Sequence, residues 1–376
     1  MAGLDKSKVD VLLERARREI DEGRLPSCQL ALALDGEVVL QEAFGDATVD
    51  TRYVIFSCTK GIFAGAVWMT FGDGMLHPTQ KVAEVIPEFG TNGKDVVTVE
   101  QLLLHTAGFP RAPMASDVFV DRKRRLQRFA QWRLTFEQGT RCEYHPSSAG
   151  WVLGELVERV AGRDYRQFVT ERIVEPLGLK GMSLGVPPEQ RDGVATLVAC
   201  GEPPDPDELE RLLGVREMPV GEVTEENLLH FNEPAVLAAG MPAAGAVARA
   251  SDVALYYQGL LHNPDRLWDP DVLADGTSVI RNTFPDVLMG GVPANRTRGL
   301  VLAGDDGKAA FRGFGRTVSA RAFGHMGAGG QVAWADPESG LSFCYLTNGM
   351  DANLLRSGRR GTSLSSKAAV CASEAT

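Results

Sequence analysis

Ile55-Phe56-Ser57-Cys58-Thr59-Lys60-Gly61 is the stretch on which the reading of this chain turns, and it holds the chain's one Ser-x-x-Lys. A serine hydroxyl is a poor nucleophile at neutral pH and needs a base within hydrogen-bonding distance. Residues three apart on a helix share a face, so this spacing brings an amine to the hydroxyl. The run Thr51-Arg52-Tyr53-Val54-Ile55-Phe56 reads as extended chain, and Lys60 to Phe71, mostly Ala, Met, Trp, Phe and Val, reads as a buried helix. Ser57 then stands at the helix start, where unpaired N–H groups and the dipole favour negative charge. The same field disfavours a protonated lysine, which makes Lys60 a candidate base. Cys58 adjoins Ser57 but points about 100° away around a helix, so it is not read as a nucleophile. A serine three residues ahead of a lysine also describes a solvated helix pair, and the rest of the chain has to decide.

With 376 residues and 44% hydrophobic content, the chain can bury a large core, expected as one catalytic unit of two lobes. A net charge of −10 argues against a nucleic-acid partner. The cluster Asp121-Arg122-Lys123-Arg124-Arg125 is short and reads as a solvated helix face. Met1 to Lys8 lacks an apolar signal core, and no run has the length of a membrane span. No membrane partner and a cytoplasmic location are therefore expected. The cysteines at 28, 58, 142, 200, 344 and 371 lack Cys-x-x-Cys spacing, so buried thiols are expected rather than a zinc site or a disulfide framework.

Val9 to Ile20 carries a helical stripe of Val9, Leu12, Leu13, Ala16 and Ile20. Two apolar runs, Cys28 to Leu34 and Glu37 to Phe44, flank Asp35-Gly36 and predict a hairpin. Helices are predicted from Val99 to His105, Ser148 to Ala161, Ala246 to Leu261 and Ser365 to Ala372. Residues 185–235, rich in Pro, Gly and acids, read as a connection dominated by loops. Val332 to Asp336 and Leu341 to Asn348 read as strands joined through Pro337 to Gly340. Strands at both ends with helices between them suggest one sheet built from both termini, with a helical lobe inserted.

Four further segments follow the Ser57 motif in order: Leu103-Leu104-His105-Thr106-Ala107-Gly108, Glu143-Tyr144-His145-Pro146-Ser147, Glu175-Pro176-Leu177-Gly178-Leu179 and Gly324-His325-Met326-Gly327. Together they resemble the serine β-lactamase and penicillin-binding-protein superfamily over roughly residues 20–350. The nearest branch holds class C β-lactamases, family VIII esterases and D-stereospecific peptidases. The resemblance implies an α/β (α+β) fold of the β-lactamase/transpeptidase type, with an antiparallel sheet built from both chain ends, flanking helices and an inserted, mostly helical lobe. The sheet domain is expected at 1–65 and 230–376 and the lobe at 66–229.

It also implies roles. Ser57 would attack a carbonyl and hold the acyl group, Lys60 would help remove its proton, and Tyr144 would relay that proton to the leaving group. A phenol does this at neutral pH only where cations or hydrogen bonds stabilise its anion. His325 stands where the family carries the lysine of Lys-Thr-Gly, with a charge expected to be partial near neutral pH. Gly327 would let substrate lie against the backbone, the N–H of Ala328 would join that of Ser57 as an oxyanion hole, and His145 would line the site. His105 reads as structural.

Tyr144-His145-Pro146 replaces the Tyr-x-Asn of the β-lactamases, so the side chain that holds a β-lactam amide is missing. A carboxylesterase acting on short to medium acyl esters is therefore expected. A D-stereospecific peptidase or amidase, an acyltransferase, a weak β-lactamase and a catalytically silent ligand-binding relative are the alternatives. No Gly-x-Ser-x-Gly elbow and no histidine-rich ligand cluster point elsewhere. The chemistry implies a small ester or amide as partner, and neither a cofactor nor a metal.

Overall fold

Ser27–Leu34 alternates larger apolar side chains with alanines, a pattern for a strand buried on both faces. In the computed structural model, which describes residues 3–217, 221–286 and 289–373, that strand lies inside a six-stranded antiparallel sheet. The order is Glu37–Gly45, Ser27–Leu34, Leu341–Thr347, Val332–Asp336, Phe323–Gly324 and Val301–Leu302. The first hairpin turns through Asp35 and Gly36, both at positive φ, as a two-residue turn of this kind requires. Cys28 pairs with Thr347 and Ala33 with Ser342, so the two chain ends meet at the centre of the sheet.

The alternation sorts two cores. Ala31, Ala33, Ala333 and Ala335 face the helix Ala250–His262 and pack with Val253, Ala254 and Tyr257. Leu30, Leu32, Trp334, Phe343 and Tyr345 face the other way, onto Val9, Leu12 and Ala16 of Lys6–Asp21 and Leu364 and Ala368 of Leu354–Ala368. Small residues on one face let a helix approach closely. Large ones on the other bury about 1.5–3 kcal/mol apiece against the terminal helices.

The helix Cys58–Gly72 is apolar almost all round and buried accordingly. It packs in one core with Leu102, Trp151, Leu156 and Val157 from the central helices. Gly61 and Gly65 turn toward Ala250–His262. A Cβ on Gly65 would lie 2.4 Å from the Tyr256 hydroxyl, which donates to the Gly61 carbonyl at 2.8 Å.

Three expectations change. Ala246 to Leu261 is not one helix: Ala246–Ala248 is a strand, paired with Tyr53–Val54 and Ser183–Leu184, and the helix starts at Ala250. The alanines there favour helix, and pairing on both edges overrides that preference. The last helix runs Leu354–Ala368 from an Asn353 cap rather than from Ser365, its period hidden by interspersed Arg, Ser and Gly. The 185–235 connection contains the helices Pro206–Leu213 and Glu225–Leu229 and the strand Val198–Cys200, which pairs with Gly349–Asp351. Its residues 218–220 lie outside the described residues. No helix among the described residues is long and apolar enough to cross a membrane.

Candidate active site

The strand Tyr53–Val54 delivers the chain to Ser57 through a constrained turn. Ile55 donates to the Ala246 carbonyl at 3.0 Å, and Phe56 takes a left-handed φ of 44°. A buried phenylalanine adopts that conformation at a cost of about 1–3 kcal/mol, met here by packing edge-on to Phe231. Ser57 follows as the residue capping Cys58–Gly72, and Thr59 accepts from the Ala246 N–H at 3.1 Å. The strand that the alanine run concealed therefore fixes the serine from both sides.

Two of the expected partners converge on Ser57. The Tyr144 hydroxyl donates to Ser57 Oγ at 2.9 Å and Lys60 Nζ donates to it at 3.2 Å. Lys60 Nζ also reaches the carbonyls of Pro146 at 2.7 Å and Ala243 at 3.0 Å. The two carbonyls accept N–H groups from an ammonium or a neutral amine alike, and the Ser57 hydroxyl accepts from the first or donates to the lone pair of the second. Lys60 is thus held against Ser57 Oγ by two backbone carbonyls. Two cations lie over the Tyr144 ring, Lys60 Nζ at 4.8 Å and the guanidinium of Arg296 at 5.3 Å from its centroid.

The remaining expected residues divide. Ala328 lines the same cavity as Ser57. His325 is buried, its Nδ1 donates to the Met326 carbonyl at 2.8 Å, and its Nε2 has no partner among the described residues. Burial first, then Arg296 and Lys60, push its imidazole well below the usual range, so it is neutral at pH 7 rather than partly charged. A Cβ on Gly327 would lie 2.6 Å from the Ile55 carbonyl, so the glycine lets two backbone segments close on each other.

His145 does not reach the cavity. Its Nδ1 donates to the Glu143 carbonyl at 2.7 Å, its Nε2 accepts from the Phe109 N–H at 3.2 Å, and burial pushes its imidazole down to about 3. His105 accepts the His145 N–H at 3.1 Å and packs, tilted, 4.6 Å from the Tyr144 ring, which braces the tyrosine. Cys58 Sγ donates to the His325 carbonyl, and burial drives its thiol upward, leaving a structural tie.

The cavity at Ser57 encloses about 380 Å³, with Phe56, Met114, Phe119, Phe231 and Met241 as its apolar wall. Glu222 stands at its rim and accepts from Ser147 at 2.9 Å. Arg296 escaped the sequence reading because Asn295-Arg296-Thr297-Arg298 has the composition of a surface loop.

The sequence model of the Beta-lactamase family matches residues 12–363. The esterase/beta-lactamase LipL of Mycobacterium tuberculosis is 28% identical over 366 residues, which cover 88% of this chain and 79% of that protein. Among solved structures, a penicillin-binding-protein homologue from Caulobacter crescentus superposes with a TM-score of 0.76 at 28% identity, covering 98% of both chains. A family VIII carboxylesterase superposes with a TM-score of 0.79 at 24% identity, over 96% of this chain and 98% of that one, a likeness of fold.

Proposed function

The chain belongs to the beta-lactamase family and is a serine hydrolase, and we propose that it is a carboxylesterase that forms an acyl-enzyme on Ser57. The observation that carries this reading is Ser57 Oγ held by Tyr144 and Lys60 at the wall of an apolar cavity. With Tyr144 as the phenolate, Ser57 Oγ bonds to the ester carbon while its proton passes to the phenolate oxygen, beside the Lys60 side chain. The N–H groups of Ser57 and Ala328 donate to the carbonyl oxygen as it becomes an oxyanion. As the carbon–oxygen bond to the alcohol breaks, Tyr144 returns the proton to the departing oxygen. Water then gives a proton to Tyr144 and attacks the acyl carbon. The acid leaves, and the proton goes back to Ser57.

Three features favour esters over β-lactams. The cavity wall is apolar, a carboxylate at its rim repels an anionic substrate, and neutral His325 offers no charge to a substrate carboxylate. The name of the LipL relative includes an esterase activity beside a beta-lactamase one, and a family VIII carboxylesterase shares the fold. The test is hydrolysis of short p-nitrophenyl esters by wild type and Ser57→Ala, beside a chromogenic cephalosporin and a D-amino acid amide. Ester turnover is expected to fall more than about a thousandfold in the variant. Faster turnover of the amide or the cephalosporin than of any ester would overturn the carboxylesterase reading, and turnover surviving in Ser57→Ala would overturn the mechanism.

A further inference from the structure

Residues 281–298, which lead back to the sheet edge, carry three arginines with different surroundings. Arg298 meets Glu100 at 2.8 Å, and both Arg281 and Arg298 pair with Asp275. Arg296 turns inward. It is 2% exposed, the carboxylate it meets is that of Asp286 at 3.6 Å, and its Nε and Nη1 have no hydrogen-bond partner among the described residues. A guanidinium does not shed its proton when buried, so its charge persists at every working pH. Burying it with incomplete hydrogen bonding costs stability that a passive filler residue would not.

What it faces is the Tyr144 ring. The other titratable groups around that ring are Lys60 from the Cys58–Gly72 helix, His105 at 4.6 Å and His325 at 6.3 Å between centroids, with His145 stacked behind His105. Cys142 and Asp286 adjoin Arg296 on its far side. Burial is the leading cause that holds all three imidazoles neutral at pH 7, and burial likewise keeps the Cys142 thiol protonated. Lys60 and Arg296 are therefore the cationic side chains beside Tyr144 among these groups, and Arg296 is the one whose charge is fixed.

We propose that Arg296 is a positioning residue for proton transfer from Ser57: its guanidinium, lying over the phenol ring, stabilises the anionic Tyr144 oxygen that takes the serine proton. The inference rests on Tyr144 as the base, and it adds a residue from outside every motif of the site.

The experiment follows the rate at which a fluorophosphonate modifies Ser57, from about pH 5 to about pH 10, a readout that needs no natural substrate. In that step the serine O–H breaks, a Tyr144 O–H forms, Ser57 Oγ bonds to phosphorus and fluoride leaves. Wild type is compared with Arg296→Lys and with Arg296→Met combined with Asp286→Asn, which removes both members of the buried pair. Arg296→Lys is expected to keep the wild-type acid limb. In the double variant that limb moves up by about one pH unit, the rate on it falls about tenfold, and the three rates converge at high pH. An unmoved limb, or the same loss at every pH, overturns the role of Arg296 and leaves Tyr144 standing as base. An acid limb unchanged in Tyr144→Phe overturns both, and wild-type Ser57 left unmodified sinks the serine-hydrolase mechanism itself. Should near-UV circular dichroism show the double variant unfolded, Arg296→Gln against Arg296→Lys carries the same comparison with the same outcomes.

Discussion

His105, His145 and His325 form a neutral shell around the Ser57–Tyr144 pair, and their burial has a measurable cost on acidification. Burial leads in lowering each, with Arg296 and Lys60 adding to the effect at His105 and His325. An unfolded imidazole takes up a proton near pH 6.5, whereas His145 resists down to about 3. Between these values the unfolded chain binds more protons, so stability falls as pH drops, by about 1.4 kcal/mol per pH unit for each such group. Above about 6.5 this contribution is flat. Thermal unfolding is expected to hold a plateau above neutrality and to decline below it, well before most carboxylates titrate. His145→Gln should shallow the decline, and an unchanged slope in that variant would show that other groups set it. At this scale the sequence disclosed the residues that occur in spaced motifs: Ser57, Lys60 and Tyr144 meet in space as expected. It did not disclose Arg296 or the carbonyls of Pro146 and Ala243 on Lys60, because backbone acceptors and inward-turned loop arginines leave no pattern in composition.

The helix that starts after Ser57 owes its position to glycines. Gly61 and Gly65 let it approach Ala250–His262 until Tyr256 bonds to its backbone. Gly65→Ala adds helix propensity worth up to about 1 kcal/mol. The new methyl, however, meets a buried hydroxyl at 2.4 Å. Overpacking of that kind costs about 1–3 kcal/mol, so net destabilisation is expected in urea unfolding, together with a fall in kcat larger than the change in KM because Lys60 moves with its helix. A stabilised variant with wild-type kcat would show that the helix has room to shift. Elements were legible where period and turn chemistry agree, as in the Ser27–Gly45 hairpin around Asp35-Gly36 and the helix Ser148–Ala161. They were not where long-range pairing overrides local preference. Ala246–Ala248 looks helical in isolation and becomes a strand because Tyr53–Val54 and Ser183–Leu184 claim its two edges.

Across the molecule, the two ends of the chain are joined by charge as well as by strands. Arg360 of the last long helix is fully buried and meets Glu19 of the first at 3.3 Å and Asp351 at 3.1 Å. Removing one member of such a buried cluster leaves charge without compensation and costs about 3–5 kcal/mol. Arg360→Met is therefore expected to lower the urea midpoint strongly and to expose both terminal helices to hydrogen exchange together. Exchange confined to Leu354–Ala368 would show that the two helices are not coupled through this residue. The antiparallel sheet drawn from both ends was legible from strand-like runs near each terminus, but the burial of Arg360 was not, since Arg359-Arg360 reads as an ordinary solvated pair.

That sheet also sets a clock. Ser27 binds Asn348 across 321 residues of sequence, so the strand beside Ser27–Leu34 is synthesised that far behind it. At about 5–20 residues per second, the first hairpin waits roughly a quarter of a minute to a minute on the ribosome with one edge open. During that interval the nascent chain presents a strand with no neighbour, and the pace of translation rather than local propensity decides when its fold can close.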